Sequence, residues 1–160
     1  MINNRLSVNV GNTPLLKITD KIWAKAEFMN PSGSIKDRMA TNIMNNAEEN
    51  NLLKKGDTIV EATSGNAGIS FAWLAAERGY KIKIIMPSNM SEERKKMLRL
   101  YGAELIEVGP GDFDSAIKLS PSIEPIILAV IFPNGVVITV SKSIWLPVVV
   151  PLILEVSLLV

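Results

Sequence analysis

The residues best suited to chemistry are Lys36 and the small-residue loop Thr63-Ser64-Gly65-Asn66-Ala67-Gly68, about thirty positions further on. Lys36 follows Asn30-Pro31-Ser32-Gly33-Ser34, a turn with capping potential that predicts a helix beginning near Ser34 to Lys36. A partly buried helix N-terminus disfavours a nearby cation and so helps an amine lose its proton. Such an amine can form a Schiff base with an aldehyde cofactor, and Lys36 fits that description better than any other lysine in the chain. The bland alternative is an ordinary solvated lysine at a helix start.

The second run lies between a short apolar stretch, Thr58-Ile59-Val60-Glu61-Ala62, and a helical pattern from Ala67 to Arg78. Ser64, Gly65 and Asn66 there offer backbone amides and a hydroxyl at the positive end of the helix, which suits a carboxylate or phosphate. A turn that uses glycine for geometry alone is the competing reading.

Taken in order, these runs resemble the cysteine synthase branch of the fold-type II pyridoxal-phosphate enzymes. The resemblance covers roughly Val10 to Leu119. Its landmarks are Gly11-Asn12-Thr13-Pro14-Leu15, Ile22-Trp23-Ala24-Lys25-Ala26-Glu27, the Lys36 run, the Thr63 loop, Met86-Pro87-Ser88-Asn89-Met90-Ser91-Glu92-Glu93-Arg94 and Tyr101-Gly102-Ala103-Glu104. It implies that Lys36 binds pyridoxal phosphate and carries the proton at the substrate α-carbon. It further implies that Asn66 bonds the cofactor's ring hydroxyl, and that Thr63, Ser64, Gly65 and Asn66 hold the substrate carboxylate. The implied reaction replaces the acetate of O-acetylserine with sulfide or another thiol, giving cysteine, in a homodimer. Many relatives carry threonine at the position of Ala67, which puts the acceptor and donor in question. A serine or threonine deaminase of the same fold type fits Ser34-Ile35-Lys36-Asp37-Arg38 and Asn12-Thr13-Pro14 less well, and a non-catalytic remnant is the alternative outside enzymes.

Composition narrows the field. The 160 residues include 17 basic and 16 acidic side chains, a net charge of +1 that gives no reason to expect nucleic acid. The absence of cysteine and histidine closes disulfides, thiolate metal sites and histidine-dependent hydrolysis. Met1 to Val10 lacks the apolar stretch of a signal peptide, which makes the cytoplasm the expected location.

The elements that must position the site follow from hydrophobic patterning. Asn3 to Val10 reads as an irregular lead-in, and Thr13–Ile18 and Lys21–Phe28 read as extended segments. A helix from Ile35 buries Met39, Ile43, Met44 and Ala47 and fades by Glu49 to Asn51, with Gly56 beyond its end. Strand Thr58–Ala62, helix Ala67–Arg78, strand Lys81–Met86, helix Glu92–Leu100 and strand Glu104–Val108 then alternate. This order predicts an α/β fold, a parallel sheet with helices on both faces and ligands beyond the strands' carboxyl ends. The charge run Glu92 to Arg99 reads as a solvated helix face, Phe71, Trp73, Met39 and Met44 as core, Pro110 to Asp114 as a loop, and Ser115–Leu119 as the start of an unfinished helix.

Composition breaks near residue 119. Residues 1–118 hold sixteen basic and fourteen acidic side chains, whereas 119–160 hold Lys142, Glu124 and Glu155 together with five of the nine prolines. The expected division is therefore a cysteine synthase-like region at 1–118 and a divergent apolar tail at 119–160. Pro133, Asn134, Lys142, Pro147, Pro151 and Glu155 make the tail a poor membrane span, and its lack of polar surface makes it a poor domain. Translation in a shifted frame is the favoured reading, with one weak support: an adjacent frame over Ile153 to Val156 can encode Thr-Gly-Gly, a string of the family's phosphate cup. On that reading the cup and the group facing the pyridine nitrogen are missing, so cofactor binding rests on Lys36 and few other contacts.

Overall fold

The computed structural model describes residues 5–63 and 65–120 in full, and 127–132 and 135–140 by their backbone. Ser64, Asn3, Asn4 and the readings made of 121–126, 133–134 and 141–160 lie outside the described residues. The site is organised by a five-stranded sheet in the order β5-β4-β3-β6-β7. β3 (Thr58–Ala62), β4 (Lys81–Pro87), β5 (Glu104–Val108) and β6 (Ile127–Phe132) run parallel, and β7 (Gly135–Val140) pairs antiparallel with β6.

Side chains alternate across this sheet, so each face collects its own core. Ile59, Ile82, Ile84 and Met86 pack with Ala40, Ile43 and Met44 of α1 (Lys36–Glu49), Phe71, Ala72 and Trp73 of α2 (Asn66–Arg78) and Leu98 of α3 (Glu92–Leu100). Val60 and Ile85 face the other way, against Ala116 and Ile117 of α4 (Phe113–Leu119). The predicted parallel sheet with helices on both faces is thus the one observed.

Several details differ from the sequence reading. Helix α1 buries Asp37 and Ala40 along with Ile43, Met44 and Ala47, while Met39 is only partly covered. Its left-handed terminating residue is Asn51 (φ 58°), ahead of Gly56, because asparagine tolerates that conformation and arrives first. Helix α4 begins at Phe113, inside the expected loop, because the Asp112 side chain accepts from the Ser115 amide at 2.9 Å and caps the first turn. The Glu92–Arg99 run is not wholly solvated: Lys95 is buried, donating to Ser88 O and Glu107 Oε2, both at 2.7 Å. The lead-in contains a 3-10 turn at Leu6–Asn9, and the extended segments shorten to an antiparallel hairpin, β1 (Leu15–Lys17) with β2 (Trp23–Lys25).

Candidate active site

The turn before Lys36 is held by two networks that begin at the next two residues. Asp37 is fully buried; its Oδ2 accepts from the Ser32 amide at 2.7 Å, and its Oδ1 accepts from the Ser32 hydroxyl and from Trp73 Nε1 at 2.9 Å. One carboxylate therefore ties the turn to the first turn of α1 and both to α2. Ser70 of α2, also fully buried, adds a hydroxyl contact with Ser32 at 3.2 Å.

Arg38 starts the second network. Its guanidinium grips Glu27 with Nε and Nη2, each bond 2.9 Å, and donates from Nη2 to Gly11 O at 2.8 Å. Thr13 Oγ1 donates to Glu27 Oε1 at 3.0 Å, Asn30 Nδ2 donates to Glu27 Oε2 at 2.7 Å, and Asn30 Oδ1 accepts from the Gly11 amide at 2.8 Å. Arg38 holds the Glu27 carboxyl down at about 2, with Asn30 and Thr13 acting in the same direction against partial burial. Gly11 has φ 79°, and a Cβ there would come within 2.5 Å of Arg38 Nη1, so the residue must be glycine for the guanidinium to close the network. The opening motif at Gly11 and the lysine motif are in this way two sides of one structure.

Lys36 is the first residue of α1, as predicted, and Ser34 Oγ accepts from its backbone amide at 3.1 Å. The expectation of partial burial is not met: Lys36 is exposed, because the buried direction of this turn belongs to Asp37. Across from it, β3 ends at Ala62 and the chain turns through Thr63 and Gly65 into α2. Among the described residues no side chain caps α2 at Gly65. Thr63 is fixed by its amide donating to Ile85 O at 3.0 Å and by its hydroxyl accepting from the Gly65 amide at 3.2 Å. A Cβ at Gly68 would lie 2.6 Å from Thr63 Cγ2, so glycine there lets α2 approach the loop.

These pieces meet in a cavity of about 360 Å³, inside the usual range for small-molecule sites of roughly 300–1,000 Å³. Lys36, Thr63, Gly65, Asn66 and Ala67 line it together with Ile85, Pro87, Phe113 and Ile117. The structure thus brings Lys36, Thr63, Gly65 and Asn66 to one opening; Ser64 lies outside the described residues. Sequence reasoning missed Asp37, the Glu27–Arg38 pair and Phe113. The signal for the first was an acidic residue beside the candidate lysine with a tryptophan one helix away. Among the described residues no group of histidine, cysteine, aspartate or glutamate could hold a metal ion, and no helix is long and apolar enough to cross a membrane.

One buried group stands apart from the cavity. Glu61 of β3 is fully buried, its register partners are Ile84 and Ala129, and neither carboxyl oxygen has a hydrogen-bond partner among the described residues. Burial pushes its carboxyl well above the usual range.

A lysine amine, a carboxamide and a helix N-terminus thus meet in one cavity at the carboxyl end of a parallel sheet. The chain belongs to the family of pyridoxal-phosphate dependent enzymes, whose pattern matches residues 6–130. The match reaches beyond Val10–Leu119 at both ends. Cysteine synthase B of Salmonella typhimurium is 48% identical over 112 residues, 66% of this chain and 37% of that protein. A probable cysteine synthase of Bacillus subtilis is 41% identical over 137 residues, 78% of this chain and 44% of its own. Among solved structures, O-ureido-L-serine synthase superposes with a TM-score of 0.71 at 37% identity, over 77% of this chain and 41% of that one. A hydrogen sulfide-producing enzyme of Fusobacterium nucleatum gives 0.70 at 36% identity, over 81% and 45%. The chain therefore spans somewhat less than half the length of these relatives, as a cysteine synthase-like N-terminal portion with the fold of fold-type II enzymes.

Proposed function

We propose that this chain carries the amine-bearing and carboxylate-binding part of a cysteine synthase site, acting on O-acetylserine with sulfide or another thiol. The observation that carries the reading is the convergence of Lys36, Thr63, Gly65 and Asn66 on one cavity at the carboxyl end of β3. The residues fit pyridoxal phosphate. Lys36 supplies an amine for the aldehyde carbon, Asn66 a carboxamide for the ring hydroxyl, and Gly65 leaves open space where a ring can approach, since a Cβ there would meet nothing within 4 Å. When bound, the cofactor supplies an electron sink that stabilises negative charge at the substrate α-carbon.

The chain's own residues do the rest. Lys36 Nζ holds the cofactor and moves the proton at the substrate Cα. The first-turn amides of α2, with the Thr63 hydroxyl and Ser64, hold the substrate carboxylate, so the charge that fixes orientation lies at the positive end of the helix. Asp37 and Arg38 are positioning residues: they fix the turn from both sides and leave the amine free to swing. Ala67 offers no hydroxyl to the carboxylate, so carboxylate binding rests on backbone amides, Thr63 and Ser64. The proposed organisation keeps 1–118 as the working region and 119–160 as a separate apolar tail, in a cytoplasmic homodimer.

A second reading, a non-catalytic binding protein, is favoured by one observation: Leu15, Ile18, Ile22, Trp23, Phe28 and Ile35 are all more than half exposed. Incubation with pyridoxal phosphate, borohydride reduction and peptide mapping separate the two. Label confined to Lys36 and lost in Lys36→Ala supports the enzyme site; label scattered over surface lysines overturns it.

A further inference from the structure

The cavity is built from two chemically different halves, and the division follows the sheet. Its polar lining, Lys36, Thr63, Gly65 and Asn66, comes from the N-terminus of α1 and the entry to α2, the helices on one face. The other half comes from the end of β4 and from α4 on the opposite face: Ile85, Pro87, Phe113, Ala116 and Ile117. No side chain of that half can donate or accept a hydrogen bond. Ile85, Pro87 and Ala116 are buried. Phe113, in the first turn of α4, still leaves 45% of its surface in contact with water while lining the cavity. A large aromatic side chain half exposed at a cavity wall is surface that an apolar ligand group covers.

We propose that this wall selects the sulfur donor: the site takes a thiol with an alkyl or aryl body, which packs against Phe113 and Ile117, in preference to bare sulfide. This rests on the β-replacement reading above and names its second substrate. A hydrosulfide ion is small and strongly hydrated, and the wall has no group to replace its water. A thiol's hydrocarbon body needs none, and each buried methylene strengthens binding by roughly fourfold. In the reaction the C–O bond at the β-carbon of O-acetylserine breaks and acetate leaves with the bonding pair. A C–S bond forms at the same carbon, and the thiol proton passes to solvent, so an S-substituted cysteine and acetic acid balance the two reactants.

The test uses the full chain and the product class as probes. S-methyl-L-cysteine and S-benzyl-L-cysteine are titrated separately, and dissociation constants are read from the methyl resonances of labelled Ile117 and Ala116. The benzyl compound binds at least about tenfold tighter. Phe113→Ser removes most of that gap, and Phe113→Leu, which keeps an apolar side chain, retains most of it. Equal affinities, a gap that survives Phe113→Ser, or no binding of either compound overturns the proposal. Borohydride trapping is read on the same samples. Lys36 labelled without a gap overturns the wall and leaves the cysteine synthase reading standing; a gap with Lys36 unlabelled overturns the cysteine synthase reading and, with it, the assignment of the wall to a sulfur donor.

Discussion

Replacing Asp37 with asparagine tests whether one buried side chain fixes the turn that carries Lys36. The substitution keeps the shape and exchanges an acceptor for a donor. Asp37 accepts three hydrogen bonds, from the Ser32 amide, the Ser32 hydroxyl and Trp73 Nε1. A carboxylate offers only acceptors, whereas asparagine offers one oxygen and one NH₂. If the oxygen takes the place of Oδ2, the NH₂ faces the indole N–H; if it takes the place of Oδ1, the NH₂ faces the Ser32 amide. Either orientation leaves one buried donor unpaired, at about 1–3 kcal/mol, and weakens the remaining bonds from charge-assisted to neutral, at about 1 kcal/mol more. We expect Asp37→Asn to cost about 3 kcal/mol. With a urea slope of about 2 kcal/mol/M, the midpoint falls by roughly 1.5 M. The assay is urea unfolding followed by far-ultraviolet circular dichroism, with Trp73→Phe and the double variant alongside. Trp73→Phe removes one of the competing donors, and the Ser32 hydroxyl can turn to accept from the new NH₂, so the double variant loses less than the sum of the singles by about 1–2 kcal/mol. Strict additivity, or a loss below about 0.5 kcal/mol for Asp37→Asn, refutes the reasoning.

Other expectations follow from the same contacts. Glu27 is held at about 2 when folded and lies near 4.5 when unfolded, so its stabilisation is complete above 4.5 and lost as pH falls toward 2. Glu27→Gln flattens that part of an acid-unfolding curve, and an unchanged slope counts against the Arg38 network. Glu61 has the opposite sign: its raised folded value makes stability decline as pH climbs above about 4.5, the value at which the unfolded carboxyl ionises. Glu61→Met removes that decline and, by deleting a buried carboxyl that has no partner among the described residues, raises stability at pH 7 by about 1–3 kcal/mol; a loss of stability by thermal unfolding shows that the carboxyl has a partner. Gly68→Ala pushes Thr63 or α2 aside and lowers the rate of pyridoxal phosphate labelling at Lys36 by about tenfold at unchanged helicity.

The alternation from β3 to β5 was legible in the sequence because each element is short and bounded by its own stop signal. Thr58–Ala62, Glu92–Leu100 and Glu104–Val108 match their predicted limits. The Lys36 run and the Thr63 loop were also legible, since each is a contiguous string. What could not be read was how strings meet. Nothing local to Asp37 says that its partner is Trp73, because hydrogen bonds that cross between helices depend on packing that no spacing encodes. Glu27 looked like part of an extended segment, yet it is the carboxylate on which Arg38, Thr13 and Asn30 converge. Pro110 and Gly111 give the stretch around Phe113 the composition of a loop, whereas the Asp112 cap makes Phe113 the first residue of a helix. Lys36 was expected to be partly buried by analogy with a reactive amine, but the carboxylate next to it occupies the buried direction.

Every side chain that fixes the turn before Lys36 lies between Gly11 and Trp73 in the chain. Synthesis proceeds at roughly 5–20 residues per second, so Trp73 follows Asp37 off the ribosome within about 2–7 s, and the guanidinium of Arg38 finds Glu27 sooner still. The contacts that hold the turn before Lys36 are therefore of short sequence separation, the kind that closes early in folding. We expect a nascent chain stalled soon after β4 emerges to hold the Ser32–Asp37–Trp73 contacts, checked by protection of the Trp73 indole from a soluble quencher.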